Sequence, residues 1–388
     1  MREAAIRDAG RYVFFLPTLP LITEQMEAFR RDAIQFGVAD LPIYQAHSGH
    51  GRGSVQRKID DAFAAVEASG RGHAIIFTTH DALMMRDLSA FTGWRARIDE
   101  APNAAKSGVI QISESAGWFD AYFRLEPVGA TGWSNLELKG PPPNWTAIAR
   151  DKLLKPLVDF IKLASSTGGV FVKATTWANV ETLWWWSIWT PSSLTHFDTI
   201  QIAGASYGTS IGAIVARKWF SDTINLRETP IQMPASRNRS VCIHYFTRHR
   251  PSTTFWDTSA GRRMVKVVCD YLGSNVPGLG FWSGNAEVLK LMEWRLPGES
   301  VKPKVAGQNR WRDLTTCALI YSSGETEDDR PLVDMFGLTE DQIRRAREDE
   351  DILQFVMRGA LRKTDFEGVF HAYLYTEEQA SLKGFQCK

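Results

Sequence analysis

Short apolar runs alternate with stretches in which apolar residues recur every three or four positions, along most of the chain. YVFFLPT (12–18), LPIYQAH (41–47), HAIIFTTH (73–80) and WRARIDEAP (94–102) have the near-continuous apolar character of strands buried on both faces. Between them, segments such as SVQRKIDDAFAAVEA (54–68) place their apolar residues at helical spacing. FDTIQIAGAS (197–206) adds a strand, and SIGAIVARKWF a helix after it. A second block repeats the rhythm. Its strands are VCIHYF, GLGFW, LTTCALIYSS and VFHAYLY, and its helices TSAGRRMVKVVCDYL, NAEVLKLMEW and DEDILQFVMRGALR. Alternating strands and helices predict an α/β protein with parallel sheets wrapped by helices.

The rhythm breaks between Ser113 and Thr176, where aromatics mix with Gly and Pro. An insertion at about 114–176 on the first domain accounts for the break. RETPIQMPASRNRS then offers a linker, so the predicted domains are residues 1–232 and 233–388. A chain of 388 residues suffices for two cores.

Charge narrows the function classes. The net charge of +1 excludes a uniformly basic nucleic-acid binder, so any basic surface is local. The four cysteines, Cys242, Cys269, Cys317 and Cys387, form no CxxC pair. They read as reduced thiols of a cytoplasmic protein rather than a disulfide framework. No apolar run reaches the ~18 residues of a membrane span, and no secretion signal is visible. Eight of the 14 tryptophans fall between Trp118 and Trp189, and the TLWWWSIW run among them reads as core before it reads as a base-stacking surface.

Candidate chemistry sits at strand ends. Asp99 and Glu100 close a strand, where a carboxylate pair can hold Mg2+ through water and polarise an attacking water. The same pair could equally cap a helix or lie on a surface loop. Thr18 and Thr79 also end strands, where hydroxyls and amides can grip a nucleic-acid backbone or simply cap the next helix. In QFVMRGALR, spacings of four predict that Gln354, Arg358 and Arg362 share one helical stripe. Arginines there suit a developing phosphoryl charge or form a solvated basic stripe. Asn309 and Arg312 lie in the loop before LTTCALI. GHGRGS (49–54) is Gly-rich ahead of a helix but has no lysine within it, and no GxxxxGK[ST] phosphate loop occurs in the sequence.

In order along the chain, PT, TTHDAL, DEAP, the GAS of Gly204, Ala205 and Ser206, GQNRWRD and QFVMRGALR resemble the motifs of a superfamily-two DEAD/DEAH-like helicase, nearest to divergent phage and mobile-element versions. The resemblance spans most of the chain outside the Trp-rich insertion. It implies two RecA-like domains with ATP and Mg2+ bound between them, and a translocase acting in phage or mobile-element replication or recombination. Under it, Asp99 holds Mg2+ through water, Glu100 orients water, Gln354 positions nucleotide or water, and Arg358 and Arg362 act as arginine fingers. Thr18, Thr79, Asn309 and Arg312 contact nucleic acid, and Gly204, Ala205 and Ser206 couple the sites. The implied partner is single-stranded or forked nucleic acid, DNA ahead of RNA, in the cytoplasm of a host cell if phage-encoded. The family's third motif reads SAT where this chain reads GAS, and the first motif, the phosphate loop, has no counterpart. The N-terminal MREAAIRDAG and YVFFLPT match the helix and strand that follow such a loop. The rival expectation is a truncated or degenerate helicase serving as a non-catalytic nucleic-acid or partner-binding module.

Overall fold

The computed structural model describes residues 1–111, 116–129, 131–144, 148–149, 157–166, 168–178, 182–204, 207–229, 239–303, 310–324 and 329–382. The chain divides into two compact units, Met1–Arg227 with Glu327–Leu338, and Glu228–Thr326 with Thr339–Lys388. Each is an α/β body built on a parallel sheet, the arrangement expected of a pair of RecA-like domains.

In the first unit the strands are β1 (Arg11–Leu16), β2 (Ile43–Gln45), β3 (Ala74–Thr79) and β4 (Arg95–Asp99). An antiparallel sheet follows, from β5 (Ala105–Gln111), β6 (Phe123–Pro127), β7 (Trp133–Leu138) and β8 (Phe171–Lys173) to β9 (Thr182–Ile188). The chain then returns to the parallel sheet as β10 (Thr199–Ala203), giving the order β10-β4-β1-β3-β2. Side chains alternate across a strand, and β1 is apolar at both phases. Tyr12, Phe14 and Leu16 pack with the helix Leu19–Gln35, while Val13 and Phe15 pack with the helix Val55–Ser69. That two-sided burial is why the sequence read as an unbroken apolar run.

The aromatic-rich insertion has its own core of Phe119, Phe123, Phe160 and Trp185 with aliphatic neighbours. The TLWWWSIW run forms β9, with Trp185 and Trp186 buried and Trp184 41% exposed. Gly108 lies opposite Trp185, and a Cβ there would stand 2.6 Å from the indole ring. The outgoing 327–338 segment is tied to this unit through Lys218, which donates to the Gly337 carbonyl at 2.9 Å.

The second unit has β11 (Arg239–Thr247), β12 (Phe281–Gly284), β13 (Glu299–Ser300), β14 (Thr316–Ile320) and β15 (Gly368–Thr376), all parallel, in the order β11-β15-β14-β12-β13. The helix Ser259–Asn275 covers one face through Val265, Val268 and Leu272. Ile352, Phe355 and Val356 cover the other. Cys269 and Cys317 are buried free thiols and Cys242 an exposed one. Among the described residues, no helix is long and apolar enough to cross a membrane.

One predicted element is corrected. The stripe of Gln354, Arg358 and Arg362 does not exist as a single helix face. The α-helix is Glu350–Val356 with Met357 at its C-cap, and a separate 3-10 turn spans Ala360–Arg362. Gly359 breaks the run because a Cβ there would lie 2.3 Å from the Phe370 ring and 2.8 Å from the Leu314 carbonyl. Close packing on β15 turns the chain after Met357, before the helix can reach Arg362.

Candidate functional site at the strand ends of the first unit

Parallel sheets present ligand sites outside the carboxyl ends of their strands. In the first unit those ends gather four of the segments singled out in the sequence. Leu16 pairs with Thr79, so β1 and β3 stop at one level and deliver Thr18 and Thr79 to the same rim. Asp99 pairs with Ala203, and the Glu100 amide donates to the Ala203 carbonyl at 2.8 Å. Gly204 follows directly, and a Cβ on it would come 3.0 Å from the Ala101 amide. The acidic pair and Gly204 are therefore neighbours at the ends of β4 and β10. Ala205, Ser206 and Asn309 lie outside the described residues.

His80 joins these ends. Its Nε2–H donates to the Asp99 carbonyl at 2.9 Å, which fixes the ring between β3 and β4. Burial pushes its pKa down to about 4, against opposing contributions from the Asp99 carbonyl, the Asp81 carboxylate and the Phe15 backbone. The imidazole is thus neutral near pH 7 and acts as a brace. The sequence reading passed over it, although a histidine one residue past a buried strand was the visible signal.

Glu100 adopts φ 65, a left-handed conformation that a residue with a Cβ pays for. Strain of this kind concentrates where a side chain must be aimed for function. Asp99 and Glu100 are both half-buried. Mg2+ takes one or two carboxylates together with waters and substrate phosphates, and this pair matches that donor set. Among the described residues no group of three or more potential metal-ligating side chains forms a protein-only cage. When bound, the ion would supply charge neutralisation for a phosphate held beside these carboxylates.

Thr18 and Thr79 each cap a helix. The Thr18 hydroxyl accepts from the Leu21 amide at 3.4 Å, and that of Thr79 from the Ala82 amide at 3.2 Å. These bonds use their oxygens as acceptors. Beside Thr79 opens a cavity of about 380 Å³, with Pro17, Arg86, Lys106, Asp159 and Lys162 on its walls. The antiparallel sheet inserted between β4 and β10 runs over 105–188, and Lys106 near its start lies 3.9 Å from Asp81. Burial pulls the Arg86 pKa down and Asp81 opposes that. The insertion thereby adds two lysines to the rim. No motif spacing flags them, because they come from a strand start and a helix distant in sequence.

The candidate residues of the second unit have different surroundings. The Arg358 guanidinium donates to the Lys302 carbonyl at 3.0 Å and to the Pro303 carbonyl at 3.2 Å, and the residue is 4% exposed. It also lies over the Phe355 ring. Gln354 donates to Glu350 at 2.7 Å. Arg362 and Arg312 are exposed, and the neighbouring Asp313 is ion-paired with Lys363, which holds its carboxyl below the usual range.

No protein-family model matches the chain, and no curated protein matches it. Among solved structures, Xpd4 of S. tokodaii is similar over 97% of this chain and 94% of its own, with 11% identity and a TM-score of 0.42. A likeness at that level assigns neither substrate nor activity.

Proposed function

We propose that this protein binds a nucleic-acid strand through the strand-end rim of its first unit, as a member of the helicase-like motor class. The observation that carries this reading is convergence. Thr18, Thr79, Asp99–Glu100 and Gly204, far apart in sequence, meet at the carboxyl ends of neighbouring parallel strands. Lys106, Lys162 and Arg86 stand beside them together with Asp81 and Asp159, a mixed wall with one more cation than acid. Backbone phosphates are met by such charges and by helix N-termini rather than by base-reading contacts. In such a motor Asp99 would hold Mg2+ and Glu100 would orient a water, Arg358, Arg362 and Gln354 would serve the nucleotide, and Asn309 and Arg312 would serve the strand.

A second reading, a non-catalytic binding module, is favoured by Arg358, whose guanidinium is spent on two backbone carbonyls. It is favoured too by the lack of any GxxxxGK[ST] stretch in the sequence. ATP turnover by this chain should be far below that of a motor with a phosphate loop.

The binding test is anisotropy of fluorescent single-stranded DNA and RNA across a salt series. Affinity should be modest, and its logarithm should fall linearly with log salt, by about 0.7 per phosphate neutralised. DNA at least as tight as RNA, with single strands ahead of blunt duplex, fits a strand-tracking ancestor. Absence of binding at low salt sinks the proposal.

A further inference from the structure

A second cavity, of about 460 Å³, lies beside β2, the edge strand next to β3 in the first unit's sheet. Its walls include Arg30, Tyr44, Gln45, His50, Arg52 and Lys58. Three of these are cations. Neither Arg30 nor Arg52 has an ion-pair partner among the described residues. The one acid on the wall, Asp61, is matched by Arg57 at 3.8 Å. The cavity therefore carries excess positive charge in a chain whose overall charge is near zero.

The chain around it runs strand, glycine-rich loop, helix. β2 ends at Gln45, the loop spans GHGRGS, and the helix Val55–Ser69 begins after Ser54, whose hydroxyl accepts from the Arg57 amide. Gly51 at φ 64 and Gly53 at φ 98 give the loop turns that residues with a Cβ resist. The loop itself has no lysine, but the helix returns one to it. Lys58 is 9% exposed, and its ammonium donates to the His47 carbonyl at 3.0 Å and the Gly51 carbonyl at 3.2 Å. An ammonium has three donors, so one remains for the cavity. Gln45 sits between two histidines, with Nε2 2.9 Å from His50 Nδ1 and Oε1 3.0 Å from His47 Nε2. An amide donor at His50 Nδ1 leaves the His50 proton on Nε2, as a further donor.

We infer that this cavity binds a phosphate-bearing anion of about pyrophosphate size. Lys58 is its inner donor, and the exposed His50, Arg30 and Arg52 line its mouth, the two arginines as planar groups suited to phosphoryl oxygens. The ligand chemistry is a doubly charged phosphoryl group, supplied either by a free nucleotide or by a strand backbone. The inference does not depend on the strand-end rim, because none of the six residues belongs to it.

The test is calorimetric titration of the full chain with inorganic pyrophosphate. Binding should weaken at least tenfold in the Arg30→Ala/Arg52→Ala double variant at unchanged Tm, since both side chains are exposed. Lys58→Met should also abolish binding, with Tm recorded because this side chain pins the loop. Displacement of pyrophosphate by ATP identifies a nucleotide site, and displacement by a single-stranded oligonucleotide identifies a backbone site. The inference is overturned if pyrophosphate does not bind, if the double variant binds as tightly as the parent, or if neither competitor displaces it. Strand binding that survives the double variant separates this outcome from failure of the rim.

Discussion

Asp99–Glu100 in the first unit and Arg358 in the second are equally suggestive as residue types, yet the fold treats them differently. The acidic pair ends a strand at a rim with a cavity beside it, and Glu100 is held at φ 65. Arg358 is 4% exposed and holds two loop carbonyls. Ligand sites of parallel sheets lie outside the carboxyl ends of their strands, which is where the acidic pair stands. Arg358 instead reaches the carbonyls of Lys302 and Pro303, more than fifty residues earlier in the chain, and ties down that loop. The difference teaches that residue type alone does not decide whether a side chain stands at a strand-end rim or is packed into a loop.

The largest expected effect follows from that contrast. Arg358→Ala should cost about 3 kcal/mol in urea unfolding, because two carbonyls lose charged donors. Arg362→Ala, at an exposed position, should stay within about 0.5 kcal/mol. Equal costs for the two would erase the distinction between a sunken arginine and a surface one.

His80 gives an effect of similar size that depends on pH. Its pKa is about 4 in the fold against 6.5 unfolded, so the unfolded chain binds the extra proton first. The stability this brings is fully present above pH 6.5 and is lost as pH falls toward 4. Unfolding at pH 7 and pH 4.5 should differ through this group by about 2 kcal/mol. His80→Gln should flatten that part of the pH dependence. A variant as acid-sensitive as the parent would mean that the ring is not the brace between β3 and β4.

A smaller effect of opposite sign is expected at Glu100. Glu100→Gly relieves the left-handed backbone and should be neutral or stabilising by up to about 1 kcal/mol. A clear loss of stability would show that the side chain is held for packing rather than aimed for function.

The alternation of strands and helices was legible because β1, β3 and β14 are apolar at both phases and of strand rather than helix length. Asp99–Glu100 and Gly204 were legible as strand ends, although their adjacency depends on the pairing of β4 with β10 across about a hundred residues. The helical stripe of Gln354, Arg358 and Arg362 was misread because spacing alone cannot report that Phe370 and the Leu314 carbonyl leave no room beside Gly359. Lys58 escaped notice for a related reason. It lies outside the glycine-rich segment and reaches the loop only once the first helical turn has formed. Lys106 and Lys162 meet at one rim through tertiary packing of the insertion, which no local pattern encodes.

Strand binding is proposed at the rim of the first unit, and paired charge reversals test this most directly. In salt-titrated anisotropy with a fluorescent single strand, Lys106→Glu/Lys162→Glu should lower affinity at least tenfold and flatten the salt dependence by one to two phosphates. Arg362→Glu in the second unit should lower it less. Full affinity in the double reversal, with the loss falling instead on Arg362→Glu, would contradict the central claim.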